Sequence, residues 1–184
     1  ECDAILHLLR CFDDDNVVHV DGSVNPIRDK EIIDTELQLK DLETIETRLP
    51  KVEKAAKSGG DREAKAMLEI LKKYKAVLEQ GKSARTVTFE SKDDIKLAKE
   101  LCLLTAKPVL YVCNVDEKSA VNGNKYTEQV EKIAKEEGAE ILIVAAKIES
   151  DIAEFETLEE KQMFLEELGL EESGVARLIK KAYH

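Results

Sequence analysis

Residues 108 to 117 read Pro-Val-Leu-Tyr-Val-Cys-Asn-Val-Asp-Glu, and they are the clearest guide to the architecture of this chain. An apolar run with the length and composition of a buried β-strand ends abruptly in the polar tetrapeptide Asn114-Val115-Asp116-Glu117. The side chain of Asn offers both a donor and an acceptor to the edge of a ring, whereas a carboxylate only accepts. A strand end of this kind is suited to reading a purine base.

The same tetrapeptide has an ordinary structural interpretation. Asn is a favoured N-cap of helices, and Glu117, three positions after Asn114, completes something close to a capping box. The four residues alone therefore leave both interpretations open.

The two substitutions within the tetrapeptide bear on base choice. GTP-binding P-loop hydrolases use Asn-Lys-x-Asp, in which the Asp accepts two guanine protons; here Val115 replaces the Lys and Glu117 replaces the Asp. The extra methylene displaces the carboxylate, and adenine presents a lone pair at the ring position where guanine presents a proton. A site that loses a hydrogen-bond match to guanine loses its preference for it. The pattern predicts relaxed or adenine-leaning base choice.

A second strand-like run, Glu140 to Val144, leads into Ala145-Ala146-Lys147-Ile148-Glu149. Between the two runs, residues 126–137 carry apolar side chains at helical spacing, and Gly138 provides a stop signal. Strand, helix and strand in this order predict a right-handed crossover within a parallel sheet. Because parallel sheets bind ligands beyond the carboxyl ends of their strands, we expect both polar exits to face one crevice.

These exits define a candidate base-binding site. We expect Asn114 to bind the purine edge, Val115 to cover the base and offer backbone contacts, and Glu117 to set base preference. The small side chains of Ala145 and Ala146 let backbone approach a flat base, and the stem of Lys147 can lie along it. The predicted base-binding residues are Asn114, Val115, Glu117, Ala145, Ala146 and Lys147.

Together these motifs resemble the YchF, or Obg-like ATPase, family of translation-factor-class P-loop NTPases. The resemblance spans the whole length and keeps the family order, and its motifs are residues 10–16 (Arg-Cys-Phe-Asp-Asp-Asp-Asn), 19–29 (His-Val-Asp-Gly-Ser-Val-Asn-Pro-Ile-Arg-Asp), 114–117 and 145–149. It implies an ATPase that uses GTP less selectively, that takes Mg²⁺ with its nucleotide and that associates with ribosomes.

The departures from the family pattern are equally specific. The Gly-rich phosphate-binding loop, the Asp-x-x-Gly switch element and the C-terminal TGS domain are not found in this sequence. Gly81-Lys82-Ser83 does not substitute for the loop, because the pattern needs a Gly at position 76, which is Ala, and because it follows a helical pattern rather than a strand. We therefore expect an internal fragment with no catalytic residue, inactive alone, with the Mg²⁺ ligands outside it.

The apolar segment Ala4 to Arg10 predicts a third buried strand of the parallel sheet, and a long amphipathic region separates it from the strand-like run that begins at Pro108. Apolar residues recur at helical spacing over residues 32–56 and again over residues 64–78, and Ser58-Gly59-Gly60-Asp61 predicts a turn between them. Pro50 should kink or restart the first helix. The pattern predicts an antiparallel coiled-coil insertion over residues 31–86, flanked by a partial nucleotide-binding α/β domain over residues 1–30 and 87–184.

Composition sets the remaining expectations. The chain has 184 residues, 43% hydrophobic and 36% charged, which is typical of a folded domain with a core. No segment approaches the length of a membrane span. The net charge of −11 argues against broad nucleic-acid binding. The basic residues of the helical region leave two interpretations open: a surface that contacts RNA or the ribosome, or a helix pair whose charged residues are simply solvated. Cys2, Cys11 and Cys113 lie in or beside apolar runs, as buried free thiols of a cytoplasmic protein do.

Two alternative functions remain at this stage. The chain could be a non-catalytic interaction module whose helical arm binds a protein or ribosomal partner without nucleotide. It could also be a plain response-regulator-like or reductase-like α/β domain, which would leave both polar strand exits unexplained.

Overall fold

The computed structural model describes residues 2–14, 22–58 and 62–182, so residues 15–21 of the two amino-terminal motifs and the Gly59-Gly60-Asp61 part of the predicted turn lie outside it. Within the described residues the strands are β1 (Ile5–Arg10), β2 (Val109–Asn114) and β3 (Glu140–Val144). The helices are α1 (Pro26–Lys57), α2 (Arg62–Leu78), α3 (Lys92–Glu100), α4 (Lys125–Glu137), α5 (Ala146–Glu154), α6 (Leu158–Glu167) and α7 (Gly174–Ala182).

The three strands form one sheet in the order β1-β2-β3. Strands β2 and β3 are parallel, with Leu110 opposite Glu140 and Asn114 opposite Val144. Along β1, Ile5 N–H donates to the Pro108 carbonyl at 2.9 Å and Cys11 N–H donates to the Asn114 carbonyl at 2.8 Å. Residue numbers rise in the same direction along both strands between these two bonds, as they do in parallel strands. The predicted mixed α/β fold with a parallel sheet is confirmed.

Helix α4 makes the crossover between β2 and β3, and its ends have clear sequence causes. Asn124 is the N-cap and forms a capping box with Thr127. Gly138 ends the helix with φ of 65°, a left-handed conformation that favours glycine. Both boundaries agree with the helix expected over residues 126–137 to within one residue.

The sheet is covered on both faces in the unit that holds β2 and β3. One cluster joins Tyr111 and Cys113 of β2 to Val130 and Ala134 of α4 and to Ile148 of α5. On the opposite face, a smaller cluster consists of Leu110, Val112 and Leu142, with Leu178 of α7 packed against it. This burial of both faces explains why β2 and β3 are continuous apolar runs rather than alternating ones.

A separate core forms around α1 and α2. Ile45 of α1 packs with Leu71 and Leu78 of α2 and with residues of α3. The Gln38 side chain donates to the Gly81 carbonyl at 3.2 Å, and the Lys75 ammonium lies 3.3 Å from the Glu46 carboxylate. The partner numbers fall from 81 to 75 as the α1 numbers rise from 38 to 46, so α2 runs antiparallel to α1.

Asp41 of α1 is the polar centre of this second core. Its carboxylate accepts hydrogen bonds from Leu104 N–H, Thr105 N–H and the Thr105 hydroxyl, each at 2.7 Å, and the side chain is 2% exposed. The Thr105 hydroxyl in turn accepts from Ala84 N–H at 3.0 Å. One carboxylate thus provides hydrogen-bond acceptors for two backbone amides of a loop that has no regular structure of its own.

The chain divides into two compact units, one of Glu31–Pro108 with residues up to Ile5 and one of Leu6–Lys30 with Val109–His184. Residues 87–108 belong by packing to the first unit because α3 and the loop after it share the core of α1 and α2. Helix α1 continues through Pro50 rather than restarting there. That residues 31–86 form a coiled-coil arm inserted into the α/β domain stays a prediction.

Cysteine burial differs from the sequence expectation at one position. Cys11 and Cys113 are buried, whereas Cys2 and Cys102 are exposed. The hydrogen bond that the Cys113 thiol shares with Cys11 is the larger cause, and burial the next, of the raised pKa of Cys113. Among the described residues, no helix is both long enough and apolar enough to cross a bilayer.

Candidate nucleotide-binding site

The two polar strand exits meet at one edge of the sheet. Asn114 is the last residue of β2, and Ala146 follows the end of β3 by two positions. The Asn114 side-chain oxygen accepts a hydrogen bond from Ala146 N–H at 3.0 Å. The expectation that segments 114–117 and 145–149 lie together is therefore met by a direct contact.

This contact also accounts for the start of α5. The N-cap residue of α5 is Ala145, which has no side chain able to satisfy the first amides of the helix. Asn114 caps that helix from a neighbouring strand. It does not begin a helix of its own, since β2 ends at Asn114 and the following 3₁₀ turn (Glu117–Ser119) has Asp116 at its N-cap with no side-chain bond.

Val115 lies in the core rather than over the crevice. Its side chain is 3% exposed and belongs to the cluster beneath α4 and α5, while its N–H donates to the Val144 carbonyl at 2.9 Å. Two roles were predicted for Val115. Its buried side chain does not cover a base, whereas a backbone contact through its carbonyl remains compatible with the structure.

Glu117 and Lys147 form an ion pair across the two exits. Their charged atoms are 3.3 Å apart, and the side chains are 48% and 72% exposed, respectively. A hydrogen bond and the charge of Glu117, with a smaller effect of Asp151, raise the pKa of Lys147. The pair places one negative and one positive group at the solvent edge beside Asn114.

The two alanines occupy different environments. Ala145 is 4% exposed and packs in the core, whereas Ala146 is exposed at the first position of α5. Of the two alanines, Ala146 therefore lies where a ligand could contact it, and Ala145 does not.

The exit of β1 joins the same edge through contacts that sequence reasoning missed. The side-chain amide of Asn124 donates to the Cys11 carbonyl at 2.7 Å, and the Tyr126 hydroxyl donates to the Asp13 carboxylate at 2.8 Å. Asn124 is recognisable from sequence as an N-cap, but its bond to a residue 113 positions away is not. These bonds tie the loop after β1 to the amino end of α4.

A second missed contact involves Glu149, the last residue of the 145–149 motif. Its carboxylate accepts from the first two amides of α7, Gly174 N–H at 2.6 Å and Val175 N–H at 3.2 Å. The sequence gives no local signal for a pairing over 25 residues.

The described residues do not supply a metal site. Within residues 2–14, 22–58 and 62–182, no group of three or more His, Cys, Asp or Glu side chains is placed to hold an ion. The Mg²⁺ that the family resemblance implies therefore has no all-protein site among these described residues.

The fold and the edge just described define a mixed α/β protein with a parallel sheet whose polar residues collect at the carboxyl ends of the strands. The chain is 50% identical over its whole length to the ribosome-binding ATPase YchF of Bacillus subtilis, 44% identical to that of Escherichia coli O157:H7 and, over 99% of its length, 37% identical to Obg-like ATPase 1 of Xenopus laevis. No family model matches.

A solved structure gives the same result. The structure of the Schizosaccharomyces pombe YchF GTPase matches 98% of this chain with a TM-score of 0.83 at 32% identity. The chain is therefore homologous along its whole length to the YchF and Obg-like ATPase 1 proteins, and the family resemblance is confirmed. It spans about half the length of these relatives: 50% of the Bacillus subtilis protein, 46% of the Xenopus laevis protein and 49% of the fission-yeast chain.

Proposed function

We propose that this chain supplies the base-recognition half of the site of a ribosome-associated P-loop ATPase that binds and hydrolyses ATP and uses GTP less selectively. The observation that carries the proposal is the bond from Ala146 N–H to the Asn114 side-chain oxygen, because it holds both motif segments at one crevice edge. The names of the homologous proteins, ribosome-binding ATPase and GTPase, support the same class of activity.

The Asn114 side chain has a defined polarity in this arrangement. Its oxygen accepts from Ala146, so the nitrogen of the amide is the donor that we assign to the base. Adenine and guanine both present the ring nitrogen N7 as an acceptor. A contact from the Asn114 amide to N7 therefore holds a purine without choosing between the two bases.

Base choice then falls to Glu117. In a guanine site an acidic side chain accepts two protons from the base, but the Glu117 carboxylate is held by the Lys147 ammonium at 3.3 Å. Guanine has to compete with that ammonium for the same oxygens, whereas adenine does not use them. This competition disfavours guanine and leaves adenine unaffected.

Competition binding with ATP and GTP on the protein in its full natural length tests the proposal. We expect ATP to bind at least as tightly as GTP, and Glu117→Asp to shift preference toward GTP, incompletely because Val115 is not Lys. Glu36→Gln, at an exposed acid of α1, is the control and should leave the ratio unchanged. A strong GTP preference in the unaltered protein would contradict the proposal.

The division of labour follows from phosphoryl-transfer chemistry. Cleavage of the terminal phosphate depends on a phosphate-binding loop, its Lys and Mg²⁺ rather than on base contacts. We assign those parts to residues outside this chain. The chain then forms the distal half of the nucleotide domain, predicted over residues 1–30 and 87–184, and the inserted arm, predicted over residues 31–86; residues 87–108 pack with the arm.

The ribosome is the proposed partner of the arm, in the cytoplasm. Lys51, Lys54 and Lys57 in the last turns of α1 and Arg62 and Lys65 in the first turns of α2 are exposed, which gives the end of the helix pair a basic surface. Such a surface suits the phosphates of RNA. If the chain were only an interaction module, this surface would carry its function, and the base-site variant Glu117→Asp would change nothing.

A further inference from the structure

Glu149 connects the predicted base-binding loop to α7. The residue lies in the first turn of α5, where its N–H donates to the Ala145 carbonyl at 3.2 Å. Its carboxylate reaches outward and accepts from Gly174 N–H and Val175 N–H. The backbone of Glu149 therefore fixes Ala145 while its side chain holds the amino end of α7.

Gly174 lets α7 come this close. A Cβ atom at position 174 would lie 2.8 Å from Val144 Cγ1 and 3.0 Å from the Glu149 carboxylate oxygen. Any larger side chain has to push α7 away from the end of β3 or displace Glu149. The close approach of the helix and the carboxylate contact therefore depend on each other.

Two further contacts anchor α7 beside the same loop. The Arg177 guanidinium donates to the Ile143 carbonyl at 2.8 Å, two residues before Ala145. Leu178 packs against the apolar cluster on that face of the sheet. Besides these anchors, the carboxylate of Glu149 connects α7 to the residues that follow β3.

We propose that Glu149 is a positioning residue for the nucleotide base. By binding both α7 amides it holds the first turn of α5, which presents Ala146 to Asn114 and Lys147 to Glu117. This inference rests on the function proposed above and adds that α7 and the bound base influence each other. A carboxylate that receives two amide protons makes stronger bonds than a neutral side chain in the same place.

Such coupling is reciprocal, which separates it from simple helix capping. If Glu149 positions the base loop, then nucleotide stabilises the Glu149 contact with α7 as much as that contact stabilises nucleotide binding. Nucleotide should therefore slow hydrogen exchange at the amides of Gly174 and Val175, which are remote in sequence from the base-binding motifs. A purely structural cap would gain no more protection from nucleotide than amides elsewhere in the protein do.

The experiment uses the protein in its full natural length, with hydrogen exchange measured at residues 173–176 and with ATP and GTP affinities measured for three proteins. Glu149→Gln keeps the size of the side chain but removes its charge; we expect faster exchange at Gly174 and Val175 and an ATP affinity about fivefold to tenfold lower. Glu160→Gln is the matched control, since the Glu160 carboxylate caps α6 by accepting from Thr157 N–H at 3.1 Å and contacts none of residues 145–147.

The outcomes are distinguishable. Absence of nucleotide binding by the unaltered protein overturns the proposed function. Nucleotide binding with no change in exchange at Gly174 and Val175 overturns the role of Glu149 alone, and this measurement needs no variant that has to fold. Equal loss of affinity in Glu149→Gln and Glu160→Gln also overturns it, because general destabilisation would then explain both.

Discussion

Asn114 shows how one side chain connects fold and site. Its oxygen replaces the N-cap that Ala145 cannot provide, and its amide nitrogen is the donor that we assign to the purine. The two halves of the amide can be separated by substitution, because an aspartate keeps the acceptor and replaces the donor with a second acceptor.

The prediction for Asn114 concerns stability and binding together. Asn114→Asp should leave the stability of the 184-residue chain within about 0.5 kcal/mol of the original, whereas Asn114→Ala should lower it by about 1 kcal/mol, the usual effect of losing an N-cap. Both variants should weaken ATP binding by the protein of full natural length. Urea unfolding and nucleotide titration measure the two effects.

The comparison of the two variants tests whether the Asn114 amide nitrogen contacts the base. If Asn114→Asp binds ATP as tightly as the original protein, then the amide nitrogen does not contact the base, and the assignment of Asn114 to the purine edge is wrong even though its capping bond is present.

At the scale of secondary-structure elements, α1 depends on a polar contact as much as on its apolar side chains. The carboxylate of Asp41 receives three hydrogen bonds at 2.7 Å from Leu104 and Thr105 and is almost fully buried. It thereby attaches the loop before β2 to α1.

Asp41→Asn should destabilise the chain by roughly 2–4 kcal/mol. The amide offers one acceptor oxygen and places a donor against donors, so at least one buried N–H or hydroxyl loses its partner. Urea unfolding measures the change, and Glu36→Gln on the exposed side of the same helix is the control, with an expected change below about 0.5 kcal/mol. Equal stability of the two variants would show that the loop finds other acceptors.

Elements with a local signal could be predicted, and those defined by distant contacts could not. Strands β2 and β3 and helix α4 follow from apolar runs, the Asn124 cap and Gly138. In the site, the proximity of Asn114 and Ala146 followed from the parallel crossover rule. The core position of Val115 did not, because the first residue after a strand can point to either face of the sheet.

The position of α7 shows why the remainder escapes sequence reasoning. The docking of this helix depends on Gly174 fitting against Val144 and on the Glu149 carboxylate. Each of these residues is unremarkable in its own segment. Their complementarity exists only after the chain has folded, and no periodicity in the sequence reports it.

At the scale of the whole molecule, the proposed division of the nucleotide site makes a simple prediction. A clean preparation of this 184-residue chain should hydrolyse ATP no faster than buffer and should bind ATP only weakly, because the charge-assisted contacts to phosphate lie outside it. Phosphate release with and without Mg²⁺ and calorimetric titration measure these properties. Magnesium-dependent turnover by the chain alone would show that the catalytic centre has been misplaced.

The bond between Asn114 and Ala146 also fixes when the base site can appear during folding. Its two partners are 32 residues apart and are brought together only by parallel pairing of β2 and β3 across α4. Parallel pairing of strands across such a nonlocal connection is slower than forming a helix or a hairpin. The chain can therefore acquire its helices early and still be unable to recognise a base, and competence for recognition should emerge at the rate of strand pairing.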